Sequence, residues 1–313
     1  MLVQSSTTWA CSVAVATVWT SPESARTQDT HGLENPVRFT KWLEAMKYED
    51  LLDLCNDNRV QTQVLYGEPV LIEEIVGDWA KVICTWQPSK KDGRGYPGWI
   101  PVAQLKEMER ISDFGFAKVT QPRAQLWTKD LKPLLVVPFN TILPILDNNE
   151  QFTLVSTPHG EALISSEEIE HGPGIEAFIE RSGDDVVASA MRFLELPYFW
   201  GGMSSYGYDC SGFSYNMLKA HGYFIPRDAD DQARNGEEVD MANMTQWEIG
   251  DLLFFANVGS SNVRHVGIYT GNGQMIHSPS TGQHIEVIEL EGTKFVKELC
   301  AVRRYARAEG EAS

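Results

Sequence analysis

Two patterns of apolar residues divide the chain. Through about residue 172 they come in short runs that alternate with polar positions. Val13, Val15, Thr17 and Trp19 alternate with small residues, and "RVQTQVLYG", "EPVLIEEIVG", "DWAKVICTW" and "GYPGWIP" follow at short, regular intervals with turn residues between them. Alternation with period two places one face of each strand against a core. Closely spaced short strands predict a small barrel. One insertion interrupts the pattern: Phe39, Trp42, Leu43 and Met46 in "PVRFTKWLEAMKYEDLLDLC" have helical spacing, near 36–57. Residues 108–172 repeat the theme with "FAKVTQPRAQLWT", "KPLLVVPFNTILPILDNN", "EQFTLVSTPHG" and "EALISSEEIE". "YPGWIPVAQL" and "HGEALISSEEI" stand at matching ends of the two halves, which reads as two similar barrels in tandem.

Beyond "HGPGIEAFIERSG", at 171–183, the period changes. "DDVVASAMRFLEL" reads as an amphipathic helix with acidic residues at its start, and "PYFWGG" as a turn. A second helix begins at Cys210, with Asp209 as its N-cap and Gly222 as its stop. Phe213, Ser214, Met217 and Leu218 share the face of Cys210. Strands then dominate: "GDLLFFANV", "RHVGIYTGNGQMIHSPS", "HIEVIEL" and "ELCAVRRYA". Helices followed by an antiparallel sheet predict an α+β domain over 173–313.

Composition narrows the partners. In 313 residues, 26 basic against 43 acidic side chains leave a formal charge of −17. Such a field repels nucleic acid, anionic membrane and an intact anionic wall, and favours a small soluble substrate. Cys11, Cys55, Cys84, Cys210 and Cys300 are odd in number, widely spaced and without a CxxC pair. A disulfide framework or structural zinc site is not expected, and free thiols suit a reducing compartment. Residues 9–19, "WACSVAVATVW", have the apolarity of a signal-peptide core, but no Lys or Arg precedes them and the strand pattern competes. The expected location is cytoplasmic.

The chemistry centres on Cys210. At a helix start, unpaired N–H groups and the helix dipole favour a thiolate, although a small buried cysteine packed in a core fits the same position. A nucleophilic thiol needs a base, and the base an orienting group. Of seven histidines, His31, His159 and His171 sit in loop-like, solvated contexts, His221 ends the Cys210 helix, and His284 faces solvent. His265 and His277 flank the hairpin "VGIYTGNGQMI". A three-residue loop with a bulge at Gly273 sets Gly267 opposite His277, so both imidazoles point to one side; a two-residue Asn-Gly loop would shift the register by one and separate them. With the first register, Cys210, His265 and His277 form a cysteine–histidine–polar constellation. The Cys210 N–H would serve the oxyanion. A zinc site from the same three residues is the rival, without a compact ligand motif.

"YFWGG", "DCSGFSYNMLKAHG", "GDLLFF" and "HVGIYTGNGQMIHS", in this order and spacing, resemble the NlpC-type family of papain-like cell-wall cysteine peptidases, over about Ser182 to Tyr305. "TQVLYGE" and "GYPGWIP" are similar to the bacterial SH3-like domains of one branch, the γ-D-glutamyl-L-diamino acid endopeptidases. The resemblance implies an α+β fold: an SH3-like barrel at 1–107 with its helical insertion, a second at 108–172, and a peptidase domain at 173–313. It implies Cys210 as nucleophile, His265 as base and His277 as third polar residue. It further implies recognition of a free N-terminal L-Ala, with Asp209 and Ser211 beside the ammonium and an aromatic from the first SH3-like domain closing the site. Tyr96 is the candidate aromatic, and Glu68 a second carboxylate. Tyr198 and Trp200 would line the cleft, and Arg264 completes the candidate substrate-binding residues. Asp251 reads as a turn residue.

The expected protein is a cysteine endopeptidase cutting the γ-D-Glu–L-diamino acid bond of small murein peptides in recycling. No cofactor, metal, nucleic acid or membrane is expected to take part. A thiol-dependent amidase or acyltransferase shares the acyl-enzyme, and a non-catalytic wall-fragment binding protein is the reading from another class. Diaminopimelate and lysine are not distinguished.

Overall fold

The computed structural model describes residues 7–109, 114–175 and 178–306. The chain packs as two compact units: Met1–Trp86, Lys91–Phe178 and Met203–Tyr206 form one, and Gln87–Lys90, Ile179–Gly202 and Gly207–Ser313 the other. Residues 176 and 177 of the expected boundary segment lie outside the described residues.

The first unit holds two antiparallel sheets. One contains β1 (Thr7–Cys11), β2 (Val15–Trp19), β3 (Val60–Leu65), β4 (Pro69–Val76), β5 (Trp79–Cys84), β6 (Tyr96–Pro101) and β7 (Leu105–Glu109), in the order β3-β2-β6-β5-β4-β1-β7. The other contains β8 (Phe116–Val119), β9 (Arg123–Trp127), β10 (Pro133–Pro138), β11 (Ile142–Asn148), β12 (Phe152–Thr157), β13 (Gly160–Ser165) and β14 (Ile169–Gly172), in the order β10-β9-β13-β12-β11-β8-β14. Shifting every label by seven superposes the two orders, so the repeat seen in the sequence is a repeat of topology.

The sheets are not the closed barrels expected. β3 and β7 are the edges of one, β10 and β14 of the other. In each, one pair of strands, β2 with β3 and β9 with β10, joins the remainder through a single residue pair, Trp19 opposite Trp99 and Leu163 opposite Trp127. Closure needs a continuous, staggered ladder around the axis, and one pair at the seam does not supply it. Each sheet still wraps its own core, with Val18, Val64, Val82 and Ile100 in one, and Leu126, Leu143, Val155 and Ile164 in the other. Tyr66, from the β3–β4 turn, enters the second core. Its hydroxyl lies 2.8 Å from Nδ1 of His159, which is therefore not a purely solvated histidine.

Residues 9–19 are strands of the first sheet, as their alternation indicates. The insertion is helical but broken into α1 (Thr30–Leu33), α2 (Phe39–Ala45) and α3 (Tyr48–Asn56). Met46 is extended, ending α2, while Phe39 and Trp42 bury the face the spacing predicts.

The second unit contains α4 (Gly183–Met191), β16 (Gly207–Tyr208), α5 (Cys210–Ala220), α6 (Ala229–Gln232), β17 (Glu237–Val239), β18 (Leu252–Ala256), β19 (Val263–Gly271), β20 (Gln274–His277), β21 (Glu286–Glu289), α7 (Phe295–Glu298) and β22 (Leu299–Arg304); β15 (Met203–Ser204) precedes β16 in the chain. Six of these strands make one antiparallel sheet, β17-β22-β18-β19-β20-β21. Ser182 caps α4, accepting from the Asp185 N–H while Asp185 reaches back to it. Among the described residues, no helix is long and apolar enough to cross a membrane.

Candidate active site

The site is built where the start of α5 meets β19. Asp209 caps α5 as expected, its Oδ1 accepting from the Gly212 N–H at 2.6 Å. The helix is not amphipathic, however: Ser211 through Ala220 are all buried, and Cys210, half-buried, is its most open residue. A helix buried all round lies inside a domain, and only its first turn is presented to a reactant.

Two local irregularities aim the histidines. Phe255 pairs with His265 and Ala256 with Val263, so Arg264 is an extra residue bulged out of β19. Such a bulge re-aims the neighbouring side chain. At the other end of the strand, Asn272 and Gly273 form a two-residue turn, both with positive φ. That turn was expected to separate the imidazoles. It does not, because Tyr269 pairs with Met275 while Gly271 pairs with Gln274, leaving Thr270 as a second bulge. The bulge restores the register that brings Gly267 opposite His277. A Cβ on Gly267 would stand 2.6 Å from the Met275 sulfur and 3.3 Å from the His277 Cβ, so glycine permits the close approach.

The two imidazoles meet as a result. His265 Nε2 lies 2.7 Å from His277 Nδ1, and both side chains are buried. Phe295 of α7 packs on both rings, at 5.5 and 5.4 Å between centroids, and Phe255 adds a third aromatic face to His265. Burial pushes His265 well below the usual histidine range, helped by the charges of His277, Arg264 and Lys294. Burial and Lys294 hold His277 at about 4. Both rings are neutral near pH 7, so either can accept a proton.

The thiol is also neutral. Burial and the neighbouring Asp209 push Cys210 up to about 12, against hydrogen bonding from the Val266 and Ser211 backbone and the charge of Arg227. The helix start was expected to favour a standing thiolate; desolvation outweighs the dipole here. The Val266 N–H that serves the sulfur follows His265 directly in β19, which places the thiol against that strand. A neutral thiol, a neutral imidazole and a second imidazole behind it can carry nucleophilic catalysis with proton transfer to His265.

The candidate substrate-binding residues divide. Asp209 and Ser211 stand with Cys210, but the Asp209 carboxylate is taken up by Arg227, at 3.2 and 2.7 Å, and by the Gly201 N–H at 3.0 Å. Arg227 also donates to Ser211 Oγ at 2.8 Å. The negative charge assigned to a substrate ammonium is thus already matched by a buried guanidinium. Sequence reasoning missed Arg227, which lies in an aperiodic stretch after Pro226 with no spacing to point at Asp209. Tyr198 is buried and Trp200 half-buried, ahead of β16. Arg264 is ion-paired with Glu298 of α7. Tyr96 and Glu68 belong to the first unit. There the Tyr96 hydroxyl accepts from Lys91, whose ammonium also lies over its ring, and Glu68 accepts from the Leu65 N–H at 3.2 Å. Asp251 is a structural anchor, bound by Arg304 at 2.8 and 2.9 Å. The acidic group Asp228, Asp230 and Asp231 faces Lys90 and Arg234.

Residues 195–304 match the NlpC/P60 family and residues 119–171 the YKFC SH3b2 domain. The gamma-D-glutamyl-L-lysine dipeptidyl-peptidase of Bacillus subtilis is 42% identical over 295 residues, 93% of this chain and 96% of that one. The chain belongs to the NlpC/P60 family. It is a cysteine peptidase with an SH3b-like domain ahead of the catalytic one. A Bacillus cereus protein with the same name is 37% identical over 94% of this chain and 89% of its own length. The crystal structure of an NlpC/P60 family protein from Bacillus cereus, 35% identical, matches with a TM-score of 0.88 over 96% of this chain and all of that one. Cys210, His265 and His277 all lie within the segment that the family matches.

Proposed function

We propose that this protein hydrolyses the bond between γ-D-Glu and an L-diamino acid in short peptidoglycan-derived peptides with a free N-terminal L-Ala. The carrying observation is 42% identity across 93% of the chain to a gamma-D-glutamyl-L-lysine dipeptidyl-peptidase, with the paired imidazoles set against the cysteine-bearing helix start. A dipeptidyl-peptidase counts from the amino end, which suits a site closed around a free amine. Tyr198 and Trp200, beside Asp209 and Ser211, are the residues proposed to line it.

In the proposed reaction Cys210 attacks the γ-carbonyl of D-Glu as its proton passes to His265. The oxyanion takes a hydrogen bond from the Cys210 N–H, at the first position of α5. His265 then protonates the departing amine, and a thioester remains on Cys210. Water, deprotonated by His265, hydrolyses the thioester and releases L-Ala-γ-D-Glu. His277 orients His265 throughout. The free thiols and the charge of −17 support a cytoplasmic role on released muropeptides.

The test is digestion of L-Ala-γ-D-Glu-L-Lys and its meso-diaminopimelate counterpart, each with the amine free or acylated, read by mass spectrometry. The expected result is release of L-Ala-γ-D-Glu from free-amine peptides only, lost in Cys210→Ala. Equal cleavage of acylated peptides would remove the amine gate. Transfer to an added amine in place of hydrolysis would make the enzyme an acyltransferase.

A further inference from the structure

The imidazole pair has one unmatched atom. Among the described residues, His277 Nε2 is buried without a hydrogen-bond partner. The carboxylate nearest to it is Glu286, 3.5 Å away and directly across the β20–β21 ladder, where His277 pairs with Glu286. The Glu286 side chain is half exposed, while His277 is buried and held between Phe295 and His265.

We infer that Glu286 is a positioning residue of the site: its carboxylate receives the outer N–H of His277 and so fixes both imidazoles in the tautomer that leaves His265 Nδ1 as the base. Only two proton arrangements satisfy the 2.7 Å contact between His265 Nε2 and His277 Nδ1 when both rings are neutral. In one, His277 donates; His265 then carries its proton on Nδ1 and cannot accept from a thiol there. In the other, His265 donates, Nδ1 is a lone pair, and His277 must carry its proton on the buried Nε2. That second arrangement is the active one, and an acceptor at Nε2 selects it. Glu286 is the only carboxylate within ion-pairing reach of either ring among the described residues. The other groups facing the pair are cationic or neutral: Lys294 ahead of α7, Arg264 on β19, which is paired with Glu298, and the Cys210 thiol on α5, beside the paired Asp209 and Arg227. When His265 takes the thiol proton, positive charge spreads toward His277, and Glu286, 3.5 Å from its outer nitrogen, is placed to receive it.

The inference rests on the proposed roles of Cys210 and His265, and its test separates the two. Alkylation of Cys210 by iodoacetamide, followed across pH by peptide mass spectrometry, reports the thiolate–imidazolium fraction without substrate. The folded protein is compared as wild type, His265→Ala, Glu286→Ala and Glu286→Gln. Glu286→Ala is expected to slow alkylation near neutrality by about tenfold, because wrong-tautomer variants of such dyads lose much of their base function. Glu286→Gln, which keeps an acceptor oxygen but not the charge, falls between it and wild type. In ¹⁵N-resolved spectra of the wild type, both rings carry their proton on Nε2, and in Glu286→Ala a second tautomer appears. Profiles of both Glu286 variants that superimpose on wild type, with His265→Ala slowed, would overturn the inference and leave the cysteine–histidine reading standing. A wild-type His265 protonated on Nδ1 would overturn it directly. An unchanged rate in His265→Ala would overturn both.

Discussion

Two buried polar clusters stand side by side in the second unit, and they are finished to different degrees. Around Asp209 both carboxylate oxygens are matched, by Arg227, the Gly201 and Gly212 N–H groups and Ser211. Around His277 one ring nitrogen is left over, with a carboxylate 3.5 Å away. The first cluster has no spare capacity and acts as a mount: it ties the cap of α5 to the segment that carries Arg227. The second has room for a proton to arrive and leave. A fully satisfied network rigidifies, whereas an unpaired buried polar atom is costly and calls for a partner. The proposed reaction uses both, because the thiol is to be held still while its proton moves.

Breaking the moving cluster should cost activity and little stability. His265→Ala is expected to lower kcat/KM on the free-amine peptide by about 10²–10⁴-fold, the range of a lost general base. The melting temperature should change far less than in a variant of the mount. A drop in activity explained by unfolding would erase the distinction. Breaking the mount should do the reverse. Arg227→Ala leaves the buried Asp209 carboxylate without its counter-ion, and a loss of about 3–5 kcal/mol in unfolding free energy is expected from denaturant titration. A loss below about 1 kcal/mol, the range of exposed ion pairs, would show that Arg227 is not the anchor described.

The contrast also explains what the sequence could carry. Asp209 as a cap and α5 as a helix rest on local chemistry, so their signals sit within a few residues of each other. The β19–β20 register does not. Asn272-Gly273 signals a two-residue turn correctly, but the compensating bulge at Thr270 depends on how β19 is gripped by β18 and β20. Arg227, Glu286 and Phe295 lie 17, 76 and 85 positions beyond Cys210, and only the folded sheet brings them into relation with it. Asp251, a turn residue by its motif, takes up Arg304 from a strand 53 residues on. The repeat of two sheets was legible as repeated patterns, whereas their open edges were not, since seam pairing at Trp19–Trp99 and Leu163–Trp127 has no local signature.

A pH titration of stability sharpens the comparison at intermediate size. His277 titrates at about 4 in the fold, below the ordinary histidine value, because it is buried and faces Lys294. The unfolded chain therefore binds this proton first. The contribution is complete above the unfolded value, about 6.5, and is lost as pH falls toward 4. His265 shifts in the same direction and adds to the slope. The loss of unfolding free energy between neutral pH and about 4.5 should be smaller in His277→Asn than in wild type by on the order of 2 kcal/mol. Parallel slopes in the two proteins would mean that His277 is not kept neutral by the fold.

The smallest effect belongs to Arg264, and it separates two roles. Arg264 pairs with Glu298 and is about one-third exposed, with a side-chain exposure of 34%. An ion pair of that exposure contributes about 0–1 kcal/mol, so Arg264→Ala should barely move the denaturation midpoint. If its work is to hold α7 and its Phe295 over the imidazoles, kcat falls modestly with KM unchanged, and Glu298→Gln reproduces the change. If the guanidinium binds a substrate carboxylate, KM rises in Arg264→Ala and not in Glu298→Gln. The bulge that pushes Arg264 out of the ladder aims it at α7. The expected outcome is therefore the first: matched, small losses in kcat for both variants, as befits a contact that braces the moving cluster from outside.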